Sequence, residues 1–365
     1  MTASIHPRFV VKVGTRVLTD DAGELNLVVL RSIVDHIAQA MAEGAEVILV
    51  SSGAVGLGRR AIGLPPGPSD TPTRQACAAI GQSRLMAVYE SLLQAHGICC
   101  AQVLLSQGDF DNRKRYNNLR NALSTLLRLG VLPILNENDA VAIEELEFTQ
   151  QRVFGDNDKL SSLVASELNA ERLVLLTDVD GVYDKNPFEH PDAVLLSEWD
   201  GDAVDTTAEA GAGRGGMASK IEAARIASRS GCVGIIASGR DPSALGIALA
   251  GGHVGTRFTP KGTLTSRRRW IAFAAASRGS LTLDQGAVDA LRRRGASLLA
   301  KGVTHIQGPF RAGDVVELIG PNNEVVGRGI PRCSSEEAEQ WAAGQARESK
   351  QPLIRRNYLV LEEEE

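Results

Sequence analysis

Six short runs, apolar almost throughout, recur along the first two-thirds of the chain, at residues 9–13, 47–50, 100–105, 131–135, 173–176 and 233–237. Longer segments of helical period separate them, at residues 27–43, 73–96, 117–129, 158–168 and 217–230. A strand without a polar face must be covered on both sides, and an intervening helix returns the chain for a parallel neighbour. The alternation therefore predicts a mostly parallel sheet with helices on both faces. Ligands of such sheets bind at the carboxyl ends of the strands, so chemistry is expected in the loops that follow the apolar runs.

The pattern changes after Gly255. Residues 256–266, with Pro260, Gly262 and several threonines and serines, read as a linker, and Arg267-Arg-Arg-Trp270 opens a smaller segment. Its runs at 270–274, 280–283, 303–306, 315–319 and 325–329 read as short strands divided by glycine-bearing turns, with a helix near 284–293. A small β-barrel or roll is expected there, which divides the chain into a domain at 1–258, a linker at 259–267 and a second domain at 268–365. The arginine runs 267–269 and 292–294 make the second domain the more basic one and read as a solvated face; the acidic tail 362–365 reads as disordered.

The chain carries a formal charge of -5, which argues against phosphate-backbone binding as its main task. Its five cysteines, with no CxxC or Cys/His spacing, read as reduced, buried thiols of a cytoplasmic protein. The N-terminus lacks an apolar signal core and no apolar run is long enough to span a bilayer, so no membrane association is expected.

Three polar clusters follow apolar runs: Val50-Ser-Ser-Gly-Ala-Val-Gly56, Ile134-Leu-Asn-Glu-Asn-Asp139 and Leu175-Leu-Thr-Asp-Val-Asp-Gly181. In the first, Gly53, Gly56 and Gly58 suit a tight strand-to-helix turn, while Ser51 and Ser52 in that turn equally suit an anion. In the second, Asn136, Asn138 and Asp139 suit a loop with asparagine-type turns. Gly155-Asp-Asn-Asp158 opens a helix, where one Asp or Asn is an ordinary N-cap. Three in succession leave side chains over for a ligand ammonium, a metal ion or a catalytic lysine. Gly211-Ala-Gly-Arg-Gly-Gly216 has the form G-x-G-x-x-G, but no strand precedes it, so it does not read as a dinucleotide fingerprint, and no Walker A sequence occurs.

Two lysines then become informative. Lys12 lies within an apolar run and Lys220 closes the glycine-rich stretch Gly213-Arg-Gly-Gly-Met-Ala-Ser-Lys220 at the mouth of a helix. Such a pair can hold two ends of a transferring phosphoryl group, which gathers negative charge that must be neutralised. None of the six histidines falls in these clusters, and there is no G-x-S-x-G elbow, which argues against acyl transfer by a Ser-His pair. A carboxylate acceptor needs no general base, because a carboxylic acid of pKa about 4.3 is already ionised at pH 7. It needs relief of repulsion from an anionic donor, and in-line placement.

Val11-Lys-Val-Gly-Thr15, Ser51-Ser-Gly-Ala54, Ile134-Leu-Asn-Glu-Asn-Asp139, Phe154-Gly-Asp-Asn-Asp158, Leu175-Leu-Thr-Asp-Val-Asp-Gly-Val-Tyr183 and Gly215-Gly-Met217 with Lys220 together resemble, in order and spacing, the glutamate 5-kinase family of amino-acid kinases. Gly295-Ala-Ser-Leu-Leu-Ala-Lys-Gly302 and Gly313-Asp-Val-Val316 are similar to the PUA domain that many bacterial members append. The resemblance implies an α/β fold, a three-layer αβα sandwich with a mostly parallel central sheet, followed by a small β-rich PUA-like domain. It implies transfer of the ATP γ-phosphoryl to the γ-carboxylate of L-glutamate, giving L-glutamyl 5-phosphate, the first step of proline biosynthesis. Mg2+ would bridge the phosphates, held mainly by ATP oxygens and water, and no metal-ligating side chain is assigned.

By the same resemblance Lys12 and Lys220 embrace the transferring group and Asp158 fixes both by charge. Ser52, Gly53, Asp139 and Asn157 would bind glutamate, the Asp139 carboxylate being suited to the α-ammonium. Lys12, Thr177, Asp178, Arg214, Gly215, Gly216, Met217, Ala218, Ser219 and Lys220 would line the nucleotide site. Proline as a feedback inhibitor at or near the glutamate pocket, and a homo-oligomer (dimer or tetramer) formed through the kinase domain, are further implications. The chain departs from the family in a longer connection at 141–153, and in Arg214 and Ser219 where threonines are usual. The alternatives are an acetylglutamate or aspartate kinase of the same fold, or an RNA-binding protein acting through the PUA-like domain. Asp139 favours a free amine over an acetylated one. RNA binding is not expected, since aromatic residues make up only 4% of the chain and leave few surfaces for base stacking.

Overall fold

The structure, a computed structural model, describes residues 6–20, 24–65, 67, 70–141, 157–187, 189–199, 216–262, 264–345 and 351–362. Two compact units are present: residues 1–109 with 113–263, and residues 110–112 with 264–365.

In the first unit the strands are β1 (Arg8–Val13), β2 (Glu46–Ser51), β3 (Cys100–Leu105), β4 (Leu132–Glu137), β5 (Arg172–Thr177), β6 (Glu198–Trp199), β7 (Val233–Ser238) and β8 (Thr256–Phe258). They form one sheet in the order β3-β4-β2-β1-β5-β7-β8-β6. All neighbours are parallel except β7 and β8, so the mostly parallel sheet expected from the alternation is present. The helices are α1 (Thr15–Leu18), α2 (Leu27–Ala42), α3 (Ala54–Ala61), α4 (Thr71–Gln94), α5 (Gln107–Asp111, of which 110 and 111 count with the second unit), α6 (Arg113–Arg128), α7 (Asn157–Glu167), α8 (Met217–Arg229) and α9 (Ala244–Leu249).

The two-residue period of the strands divides the sheet. Phe9, Val11 and Val13 of β1 join Val47, Leu49, Ile134, Val174, Leu176 and Ile235 in a core closed by α2, α4 and α9. The intervening residues Val10 and Lys12 face the other way, where α7 packs on β1 and against α8. One lysine in an apolar strand is thus directed to the layer formed by α7 and α8.

Helices α3 and α4 touch backbone to backbone. A Cβ added at Gly58 would lie 1.8 Å from the Cys77 carbonyl oxygen, and one at Gly81 would lie 1.7 Å from that of Ala54. Only glycine permits this approach. It locks the loop before α3, residues 52–53, to the side of α4.

In the second unit β9 (Ser277–Leu283), β11 (Val303–Gln307), β12 (Val315–Ile319), β13 (Val325–Gly329) and β15 (Leu359–Leu361) form a five-stranded sheet, with β10 (Leu298–Leu299) and β14 (Pro352–Ile354) paired beside it. Its helices are α10 (Ser266–Arg269), α11 (Gln285–Arg294) and α12 (Ser335–Ala342). A separate core of Leu281, Leu283, Leu291, Val316, Leu318, Leu353 and Leu359 fills it.

Several sequence expectations are corrected. Residues 270–274 are a π-helix, not a strand; a short apolar run carries no period to separate the two, and Arg328 of β13 fixes the turn by donating to the Ala272 and Ala275 carbonyls at 2.9 and 2.8 Å. Residues 256–258, within the first domain's expected bounds but of linker-like composition, are β8, a strand antiparallel to β7 in the first unit's sheet with Thr256 and Phe258 buried. Residues 267–269 are a solvated face only at Arg267, which is exposed; Arg268 is half-buried. Arg267 lies over the Tyr358 ring at 4.8 Å, Arg268 donates to the Leu359 carbonyl, and Arg269 is buried. The five cysteines are free, but Cys99 is exposed and Cys100 half-buried, because they open the sheet's edge strand. Glu362 donates its backbone N–H to Val326, and the rest of the acidic tail lies outside the described residues.

Candidate active site

Asp158, in the first turn of α7, is fully buried, and both of its oxygens carry a cation. The Lys12 ammonium lies 2.5 Å from Oδ1 and the Lys220 ammonium 3.2 Å from Oδ2. Lys12 arrives from the end of β1, and Lys220 from the first turn of α8, so three segments far apart in the chain meet at the carboxyl edge of the sheet. Ser219 donates to the same Oδ2 at 3.2 Å. Burial pushes the Asp158 carboxyl up, but Lys12 and then Lys220 pull it down further, and it ends below the usual carboxylate range. Two lysines on one carboxylate leave the cluster with a net charge of +1. A buried charge of that sign is what an incoming phosphoryl group requires.

Gly216, the N-cap of α8, has no side chain to cap the helix, so among the described residues no N-cap side chain claims the first N–H groups. A Cβ at Gly216 would meet no described residue within 4 Å. At the end of β5 the Thr177 hydroxyl donates to Asp178 at 3.1 Å, and Asp178 pairs with Arg16 of α1 at 3.2 Å. Burial raises the Asp178 carboxyl, while its own backbone N–H and Arg16 lower it more, so it too lies low. Arg214 and Gly215, and the connection at 142–153, lie outside the described residues.

The second group of residues lies past the ends of β2 and β4. Gly53 takes a φ of +99°, a left-handed conformation that turns the chain from β2 into α3 and that a side chain would strain. Beside it the Asn157 amide donates to the Ser52 hydroxyl at 3.0 Å and to Asn136 Oδ1 at 2.9 Å, and accepts from the Glu137 backbone N–H at 3.3 Å. Asn136 in turn donates to Gln82 of α4 at 2.9 Å. Gln82 Nε2 is buried and has no hydrogen-bond partner among the described residues. Asn136 was read as a loop residue, but it closes β4 and is buried; its amide takes part in this network instead of making a turn. Asp139, just beyond β4, pairs with Arg74 of α4 at 2.7 Å. Burial raises the Asp139 carboxyl, and Arg74 only partly offsets it, so it lies above the usual range.

The expected site residues therefore fall into two groups at one sheet edge. Lys12, Asp158, Lys220 and Ser219 meet directly, and Asn157 meets Ser52 while standing next to Asp158 in the chain. Arg16, Arg74, Gln82 and Asn136 were not foreseen as site residues. The only signal for Arg74 and Gln82 was their place on a long helix, which says nothing about the loop that helix approaches.

Known proteins bear on this geometry. Residues 7–238 match the amino acid kinase family and residues 279–353 the PUA domain. A protein of Synechococcus sp. (strain JA-3-3Ab) named glutamate 5-kinase is 46% identical over 335 residues, covering 90% of this chain and 89% of its own. One of the same name from Thioalkalivibrio sulfidiphilus (strain HL-EbGR7) is 42% identical over 368 residues, covering 97% of this chain and 96% of its own. With the family match spanning β1 to β7 and the lysine-bearing edge, and such relatives aligned nearly end to end, this chain belongs to the amino acid kinase family, among its glutamate 5-kinases, and carries a PUA domain.

Proposed function

We propose that this chain transfers the γ-phosphoryl group of ATP to the γ-carboxylate of L-glutamate, forming L-glutamyl 5-phosphate as the first step of proline biosynthesis. The observation that carries the reading is the placement of Lys12 and Lys220 on the two oxygens of one buried carboxylate. The names of the nearly full-length relatives supply the substrate.

In this reading glutamate lies against Ser52, Gly53, Asn157 and Asp139, with its γ-carboxylate directed to the lysine cluster. Lys12 and Lys220 take up the charge on the equatorial oxygens as phosphorus passes between anions, and Asp158 holds the two ammonium groups apart from solvent. Because these groups are already in place, little reorganisation accompanies the transfer. Thr177, Asp178 and residues 214–220 line the nucleotide. Among the described residues no group of His, Cys, Asp and Glu is arranged to hold a metal, and Asp158 is taken up by its lysines, so Mg2+ would rest on phosphate oxygens and water. It would neutralise donor charge there. Feedback inhibition by proline at the glutamate pocket, a homo-oligomer and a cytoplasmic location belong to the same proposal. For the last, no described helix is long and apolar enough to cross a membrane.

Hydroxamate formation from ATP, hydroxylamine and each of L-glutamate, L-aspartate and N-acetylglutamate tests the reading. Turnover with glutamate above both others is expected. Preference for either of the others would overturn it.

A further inference from the structure

The ion pair between Arg74 and Asp139 has a chemistry that the acceptor reading, on which this inference rests, does not use. Arg74 lies near the start of α4, and Arg74, Ala78 and Gln82 follow at four-residue spacing along one side of that helix. Gln82 reaches the Asn136–Asn157–Ser52 network, so the side of α4 that carries Arg74 is the side that borders the acceptor loops. The backbone contact of α4 with α3 at Gly58 and Gly81 holds it there. Neither partner of the pair is sealed off: the side chains are 29% and 16% exposed, against 4% and 0% for Lys12 and Asp158.

An α-amino acid presents an ammonium and a carboxylate on one carbon. A receptor for both needs an anion and a cation side by side, and Arg74 and Asp139 supply them 2.7 Å apart. We propose that Arg74 is a specificity-determining residue whose guanidinium binds the α-carboxylate of the acceptor while Asp139 binds the α-ammonium, so that the pair recognises the zwitterion. A planar fork of donors suits a carboxylate, and each cross-contact replaces part of the pair's own contact, so neither charge is left unopposed. The Asp139 carboxyl is consistent with this: Arg74 does not fully offset its burial, which leaves it able to gain from a second cation.

Two analogues separate this role from a merely supporting one. Glutarate keeps both carboxylates and lacks the amine, whereas 4-aminobutyrate keeps the amine and the γ-carboxylate and lacks the α-carboxylate. Inhibition constants of both against L-glutamate, and KM for L-glutamate itself, are measured with Mg2+-ATP for the full chain and its Arg74→Gln variant. Arg74→Gln is expected to weaken L-glutamate and glutarate by roughly 10- to 100-fold, the range for a lost hydrogen bond to a charged group, and to leave 4-aminobutyrate unchanged. Arg74→Lys keeps the charge without the fork; it is expected to weaken the same two ligands by less, and it carries the test if the glutamine variant does not fold. Loss for L-glutamate and 4-aminobutyrate with glutarate spared would overturn the proposal, since Arg74 would then only hold Asp139 in place. Unchanged values for all three ligands would also overturn it. A wild-type protein that does not turn over L-glutamate would instead overturn the acceptor reading, and this inference with it.

Discussion

Asp158 and Asp139 are two carboxylates at the same sheet edge, and the protein treats them oppositely. Asp158 has no exposure and two lysines, and its carboxyl lies below the usual range; Asp139 is half-buried with one arginine, and its carboxyl lies above it. At Asp158 the counter-charge is built into the fold in excess, which under the proposed function meets charge that develops during the reaction. At Asp139 the compensation is incomplete, which under the proposed function leaves part of it to the ligand. Burial alone would have raised both groups; the number of cations within reach decides the sign.

The sharpest way to break the comparison is at Asp158. We predict that Asp158→Ala, which leaves two buried ammonium groups facing each other, lowers the unfolding free energy by about 3–5 kcal/mol, the range for breaking a buried ion pair. Urea unfolding checks it, and a change within experimental error would mean that the lysines find other partners. Next in size, Lys220→Ala should lower kcat by roughly 100- to 1000-fold, the range for losing one preorganised donor to a transition state. KM for glutamate should stay near its wild-type value, and the protein should remain folded because Asp158 keeps Lys12. Near-normal kcat would remove Lys220 from the chemistry.

At the acceptor end the same kind of change should act on binding. Asp139→Asn is expected to raise KM for glutamate by about 10-fold or more with kcat little altered, and to shift Tm only slightly because the ion pair is partly exposed. A fall in kcat with KM unchanged would place Asp139 in the wrong half of the site. The smallest effect expected is on acid stability, and its sign differs between the two residues. The lowered Asp158 group contributes stability that is present above its unfolded value of about 3.9 and is lost as pH falls through its lower folded value. The raised Asp139 group contributes stability present below that unfolded value and lost as pH rises through its higher folded value. The Tm of wild type relative to Asp139→Asn should therefore decline as pH rises from below about 4 through the raised Asp139 value. A difference that grows over that interval would contradict the direction of the shift.

Much of the kinase sheet was legible because its strands are uniformly apolar and its helices long. The second domain was less so. Its run at 270–274 had no period to read, and its α12 was missed although Ser334 and Glu337 form a capping box, a local signal that needs no tertiary information. The strands β14 and β15 are three residues each, too short to show a two-residue alternation. Within the site, Lys12 stood out because a lysine in an apolar strand demands a partner. Asp139 stood out only through its cluster, and Arg74 not at all, since an arginine early in a helix is ordinary.

From the residues alone came the α/β alternation and the two lysines as carriers of positive charge, because these follow from side-chain type and from the apolar and helical periods. Tertiary structure supplied the contact that the resemblance implied, with Lys12 and Lys220 on one carboxylate, and it alone decided that Arg74 reaches Asp139 and that the two aspartate carboxyls are shifted in opposite directions. Those outcomes depend on which helix lies over which strand and on how much water is excluded there, and both are properties of the closed sheet that no local stretch of sequence contains.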